Sequence, residues 1–230
     1  LDRILTDLFS YIDDKVGLDN TLIVLSADHG QPEVPGHLHE HGIKDARYFD
    51  TEALDKSGAI ASLKQQFGIG KELIEDYFHP YLYLNHEVID AKGLDRAAVE
   101  KAVAAELLKF DGIAYAVSSS ALRTDTLPDT LMTHSVLRNF HPKRSGDIYL
   151  VFEPNIFIND FDGLTVSSTH GSPWRYDTYV PVVFAGHGVQ AARVERAVTP
   201  YDIAPTLSAY LGVKPPSGAI GEVLPEVLAK

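Results

Sequence analysis

The residues best suited to chemistry begin in "LIVLSADHGQPEVPGHLHEHGI", residues 22–43, where an apolar run ends at Asp28-His29-Gly30. A carboxylate and an imidazole side by side can converge on one metal ion if the backbone bends between them. The same aspartate can instead cap a turn, and the spacing alone leaves both readings open. His37, His39 and His41 follow at a spacing of two. In an extended segment they would share a face and could hold a metal; Pro32, Pro35 and Gly36 favour a solvated loop. His170 precedes Gly171 in "SSTHGSPWRYDTYVPVVFAG", residues 167–186, crowded by Ser167, Ser168, Thr169 and Ser172. It reads either as an incidental loop histidine or as a ligand. His134 and His141 lie in "HSVLRNFHPKRSG", where Lys143 and Arg144 suit an anion but equally suit plain solvent exposure. His79, His86 and His187 stand in no motif and read as structural or exposed.

Composition narrows the chemistry. The sequence contains no cysteine, so disulfides and thiolate metal sites are excluded, and any zinc must be held by His and carboxylate groups. The formal charge of -12 argues against nonspecific nucleic-acid binding, which needs a basic footprint. It also repels anionic substrates unless a metal inverts the local field. No apolar run approaches the roughly 20 residues that cross a bilayer, and no basic-then-apolar leader opens the chain. The 230 residues allow a substantial core in one or two domains. Leu1 falls inside an expected helix, so the chain reads as a piece of a longer polypeptide and its compartment stays open.

The elements that must position these residues follow from periodicity. Apolar residues at 1, 4, 5, 8, 9 and 12 predict a helix, with Gly17 as its stop. "NTLIVLSA" and "YVPVVFAG" read as strands buried on both faces, as in parallel sheets. "KSGAIASLKQQFG" and "KELIEDYF" read as two short helices, and "PYLYLN" as a strand. "DRAAVEKAVAAELLKF" is an amphipathic helix with Asp95 as its N-cap. "GIAYAVSS" and "GDIYLVFEP" are further strands, and "TPYDIAPTLSAYLG" a late helix ended by Gly212. A helix leading into a buried strand, repeated along the chain, points to an α/β layered fold.

Taken together, "TLIVLSADHG", "STHGSPWRYDTYVPVVFAG", "RSGDIYLVFEP" and "VTPYDIAPTLSAYLGVKPPSGAIGEVL" resemble the alkaline phosphatase superfamily. The similarity is to its bacterial exported branch, related to type I phosphodiesterases and nucleotide pyrophosphatases. The resemblance implies an α/β/α sandwich around a mostly parallel sheet. Residues 1–50 and 140–230 would belong to that domain, and about 50–140 to an inserted α+β lobe. It implies a two-zinc phosphatase, with Mg or Ca as alternative metals, acting on small phosphate esters. Asp28 and His29 match ligands of one zinc and His170 a ligand of the other. Phosphodiesterase chemistry, or a noncatalytic domain that kept the fold, are the competing readings.

The resemblance also implies what is missing. The family's Thr or Ser nucleophile and its remaining ligands lie well before the Asp-His motif, and only 27 residues precede Asp28. The chain is therefore expected to be a C-terminal half, inactive alone, whose partner is the N-terminal half of the same protein. Tyr179 stands where close relatives tend to carry a histidine. An uncovered sheet edge or apolar face, and self-association through it, would follow. A periplasmic or secreted location is implied by the resemblance only.

Overall fold

The computed structural model describes residues 1–124, 126–161 and 163–228. In chain order the elements are helix α1 (Asp2–Val16), strand β1 (Leu22–Ser26), α2 (Pro35–Glu40), β2 (Arg47–Tyr48), α3 (Gly58–Phe67), β3 (Ile74–Phe78) and β4 (Tyr81–Leu84). Then come α4 (His86–Ala91), α5 (Arg96–Leu107), β5 (Ile113–Ser118), α6 (Ser119–Thr124), α7 (Leu131–Asn139), β6 (Ile148–Phe152) and β7 (Ile156–Phe157). The last are β8 (Asp160–Phe161), β9 (Leu164–Thr165), α8 (Arg175–Thr178), β10 (Val182–Gly186), α9 (Ile203–Leu211) and α10 (Pro225–Leu228). Among the described residues no helix is long and apolar enough to cross a membrane. The chain divides into two compact units, residues 31–178 and residues 1–30 with 179–230.

Unit 31–178 is built on an antiparallel sheet of order β3-β4-β6-β5. Side chains alternate across a strand, and β6 shows both faces at work. Ile148, Leu150 and Phe152 enter one core with Val99, Val103 and Leu107 of α5. Tyr149 and Val151 enter a second core with Leu122 of α6 and Val136 of α7. Helix α5 starts where expected: the Asp95 carboxylate accepts from Ala98 N–H at 2.8 Å. The 47–48 and 156–157 segments pair in parallel as β2 and β7. They form a two-stranded sheet of their own within the compact unit 31–178.

Two expectations fail in this unit. "KELIEDYF" was expected as a helix, but its second half is β3, which pairs with β4 across a turn at His79–Pro80. A short stretch of mixed polarity fits either period, and here the ladder and the Asp55 carboxylate, accepting from Leu73 and Ile74 N–H at 2.9 and 2.8 Å, decide it. The 37–41 stretch is the helical turn α2 with Pro35 in its first turn, not a loop. Its three histidines therefore do not all share one face. His37 and His41 stack at 4.2 Å, while His39 Nε2 lies 2.6 Å from the Ala46 carbonyl.

Unit 1–30/179–230 carries the antiparallel ladder β1–β10, with Leu22 opposite Gly186 and Ser26 opposite Val182. The sheets of the chain are thus mixed, and the parallel direction expected for these strands does not hold. Apolar continuity reports burial, not direction. Burial also falls short: no residue of either strand is fully buried, and Leu25 and Val183 are exposed. Helix α1 buries none of its residues, and Leu1, Ile4 and Leu8 of its apolar face lie in the open. The firm part of the unit is a polar knot. Asp202 accepts from Thr199 N–H, Thr199 Oγ1 and Glu222 N–H, and Thr206 Oγ1 accepts from Leu224 N–H. Helix α9 ends at Gly212 in the left-handed region, as its sequence predicts.

Two measurements check this architecture. Leu82 is wholly buried at the sheet centre, so Leu82→Ala should cost roughly 2–5 kcal/mol in denaturant unfolding. Burial pushes the Asp55 carboxyl up, but hydrogen bonds from Ile74, Lys64 and Leu73 outweigh it and hold it below its ordinary value. A depressed carboxyl contributes stability above its unfolded pKa and loses it as pH falls through the folded one. Asp55→Asn should cost roughly 1–3 kcal/mol at neutral pH. The gap to wild type should shrink as pH falls below about 4.

Candidate metal centre

Strand β1 stops at Ser26, and the next turn carries Asp28 and His29. The Asp28 Oδ1 accepts from His29 N–H at 3.0 Å, which bends the backbone between the two side chains. Their outer atoms then converge: Asp28 Oδ2 and His29 Nε2 stand 3.7 Å apart. Two ligands of a tetrahedral zinc with bonds of about 2.0 Å lie roughly 3.3 Å apart, so a small adjustment lets both reach one ion. His29 Nδ1 lies 2.7 Å from the Gly30 carbonyl oxygen. A ring nitrogen there donates, and in the neutral ring that leaves the lone pair on Nε2, the atom facing Asp28. The carboxylate is largely exposed and the ring half-buried. The pair thus has the donor chemistry and spacing of a two-ligand metal grip. Among the described residues no three or more His, Asp or Glu side chains converge as a complete cluster.

His170 lies in unit 31–178, in the loop before α8. Side-chain and backbone bonds hold this loop. Tyr48 Oη donates to Ser167 O at 2.8 Å, and Ser168 Oγ to Pro32 O at 2.6 Å. The Asp177 Oδ2 accepts from Ser172 N–H and Oγ at 2.8 and 2.6 Å. Trp174 Nε1 donates to the Phe152 carbonyl at 2.8 Å. Ser168 and Ser172, two of the hydroxyl residues that crowd His170, are thus engaged in fixing the turn.

Two residues here were silent in the sequence. His79, from the β3–β4 turn, and Asp177, from α8, line a cavity of about 20 Å³ together with His170. Burial pushes the His79 imidazole below its ordinary range, opposed by the Asp177 charge. Tyr77, whose phenol burial drives well above its usual value, lies with its hydroxyl 2.8 Å from His79 Nδ1. The other sequence histidines are in structural pairings. His86 bridges Asp147 and Arg96, each at 2.8 Å, His134 meets Asp129 at 2.6 Å, and His187 Nδ1 lies 2.7 Å from the Asp19 carbonyl. His141 Nδ1 accepts from Lys143 N–H at 3.2 Å, which closes a local turn.

The family profile described as type I phosphodiesterase / nucleotide pyrophosphatase matches residues 1–173, which include Asp28, His29 and His170. The chain belongs to this family. It is 31% identical to alkaline phosphatase PafA of Elizabethkingia meningoseptica, over all of this chain and 41% of that protein. It is 29% identical to alkaline phosphatase PhoV of Synechococcus elongatus, over 99% of this chain and 40% of the relative. A protein of Myroides odoratus named calcium-transporting ATPase is 33% identical, again over 99% of this chain and 40% of its own length. The crystal structure of wild-type alkaline phosphatase PafA superposes with a TM-score of 0.81 at 30% identity, covering 100% of this chain and 42% of that one. The α/β fold is therefore that of an alkaline phosphatase, and the chain spans about 40% of the length of these curated relatives.

The His170 turn makes one stability test. Gly171 has φ +111, and a Cβ there would come 2.6 Å from His79 Nε2. Gly171→Ala should cost roughly 1–3 kcal/mol in thermal or denaturant unfolding, whereas Gly163→Ala, in open space, should cost only its backbone strain.

Proposed function

We propose that the chain is the C-terminal portion of a metal-dependent phosphomonoesterase, holding part of a two-zinc site. The observation that carries this reading is the Asp28–His29 grip at the end of β1, in a chain that follows alkaline phosphatase PafA along its whole length. Asp28 Oδ2 and His29 Nε2 would bind one zinc, and His170 would serve the other. When bound, the metals supply Lewis-acid charge for in-line displacement at phosphorus. The chain's own residues orient that charge. The Gly30 carbonyl fixes the His29 tautomer, and the backbone bend fixes the Asp28 carboxylate. With a net charge of -12, such metals would also let the protein accept a phosphate dianion.

The nucleophile and the remaining ligands belong, on this reading, to the rest of a polypeptide of its relatives' length. The exposed apolar face of α1 and the open edges of the β1–β10 ladder support that, since a longer chain has material to cover them. Export to the periplasm or beyond fits the same relatives. A diesterase preference is the second reading, favoured by the description of the matched family.

The test is hydrolysis of p-nitrophenyl phosphate and of its bis-ester at alkaline pH with added zinc. The full-length polypeptide should turn over the monoester faster, and a chelator should abolish the activity. His29→Ala should lower kcat/KM at least about a hundredfold, near 3 kcal/mol of transition-state stabilisation. The 230-residue chain alone should be inactive. Turnover indifferent to chelator and to His29→Ala would refute the metal reading; a faster diester would favour the second.

A further inference from the structure

Two buried polar atoms in unit 31–178 lack a well-formed hydrogen bond among the described residues: His79 Nε2, which faces the backbone of His170 and Gly171, and Asp177 Oδ1. Buried polar groups are nearly always satisfied, so each calls for an explanation. Both residues line the cavity that also touches His170. At about 20 Å³ it has room for one water, which needs about 10–15 Å³ and at least two polar partners. Asp177 is only 4% exposed, so its carboxylate faces protein and cavity rather than solvent.

The surrounding bonds give this cavity a direction. On one side Tyr77 Oη lies 2.8 Å from His79 Nδ1. On the other, Asp177 Oδ2 accepts from both the amide and the hydroxyl of Ser172. Ser172 stands two residues after His170, and between them Gly171 packs so closely on His79 Nε2 that no side chain fits. With Tyr77 donating to Nδ1, Nε2 would carry the ring proton and could donate to a water in the cavity, which would donate onward to Asp177 Oδ1. With the other tautomer the water donates to both atoms. A water serves either case because it can donate twice and accept.

We propose that His79 is a positioning residue for His170: Tyr77, His79, one bound water, Asp177 and Ser172 form a hydrogen-bond chain that fixes the Thr169–Ser172 turn. This rests on the reading of His170 as a metal ligand. Outer groups that orient a ligand commonly control metal affinity by 10–100-fold. The chain differs from the usual case in acting on the backbone that carries the histidine.

The experiment is zinc affinity of the full-length polypeptide, read by competition with a chromophoric chelator, with thermal unfolding run on every variant. His170→Ala should lose one zinc. His79→Leu should weaken that zinc by about 10–100-fold, while His79→Gln, which keeps a polar atom toward the cavity, should stay within about threefold. Asp177→Asn should weaken it to the same order as His79→Leu, and stands in for that variant if it does not fold. Wild-type affinity in His79→Leu or Asp177→Asn, with loss in His170→Ala, overturns the positioning role and leaves His170 a ligand. Equal loss in the Leu and Gln variants also overturns it, since packing alone would then explain the effect. Zinc binding indifferent to His170→Ala overturns the ligand reading, and the positioning role with it.

Discussion

The structure depends on a constraint placed on one strand. Every residue of β6 is buried, so its two faces must both meet apolar partners and its two edges must both be paired. The sequence Ile-Tyr-Leu-Val-Phe meets the first demand with aliphatic and aromatic groups on alternating sides. The neighbours β4 and β5 meet the second. Burial at this strand pushes the Tyr149 phenol up to about 12, so it stays neutral and packs edge-on against Tyr81 at 5.1 Å. The Trp174 indole then ties to the last carbonyl of β6, which links this fixed core to the loop carrying His170.

The β1–β10 ladder is built on a different balance. It is short and two-stranded, and two strands alone are marginal in water. Close backbone contact helps it: at Gly186 a Cβ would meet Thr21 O at 2.1 Å, so only glycine lets the strand end there. The Asp202 knot and the paired hydrogen bonds of Arg196 to Glu226, at 2.6 and 2.9 Å, hold the C-terminal helices. Polar bonds here take the place that apolar packing has around β6.

Much of this was legible in the sequence, for reasons specific to each element. Asp95 and Gly212 are position-dependent residues, so they marked α5 and α9 well. Continuous runs such as "IYLVF" announced a buried strand. "LIVLS" announced the same and gave neither its direction nor its true exposure, because partners decide both. "KELIEDYF" misled because the bonds that make β3 come from Asp55 and from β4, outside the window. That Asp28 and His29 present their side chains together was readable because adjacency in sequence is adjacency in space. His79 and Asp177 were not, since only the packing of the β3–β4 turn against the 170–177 segment brings them to one cavity.

The exposed apolar face of α1 has a colloidal consequence for the chain handled by itself. Its net charge of -12 keeps copies apart through a repulsion that reaches about 30 Å at 0.01 M salt and only about 8 Å at physiological ionic strength. Attraction between apolar faces is not screened in this way, and excluded salts such as sulfate strengthen it. Ionic strength therefore sets which force governs the encounter of two copies, and the same surface that is tolerated in dilute buffer becomes adhesive in concentrated salt.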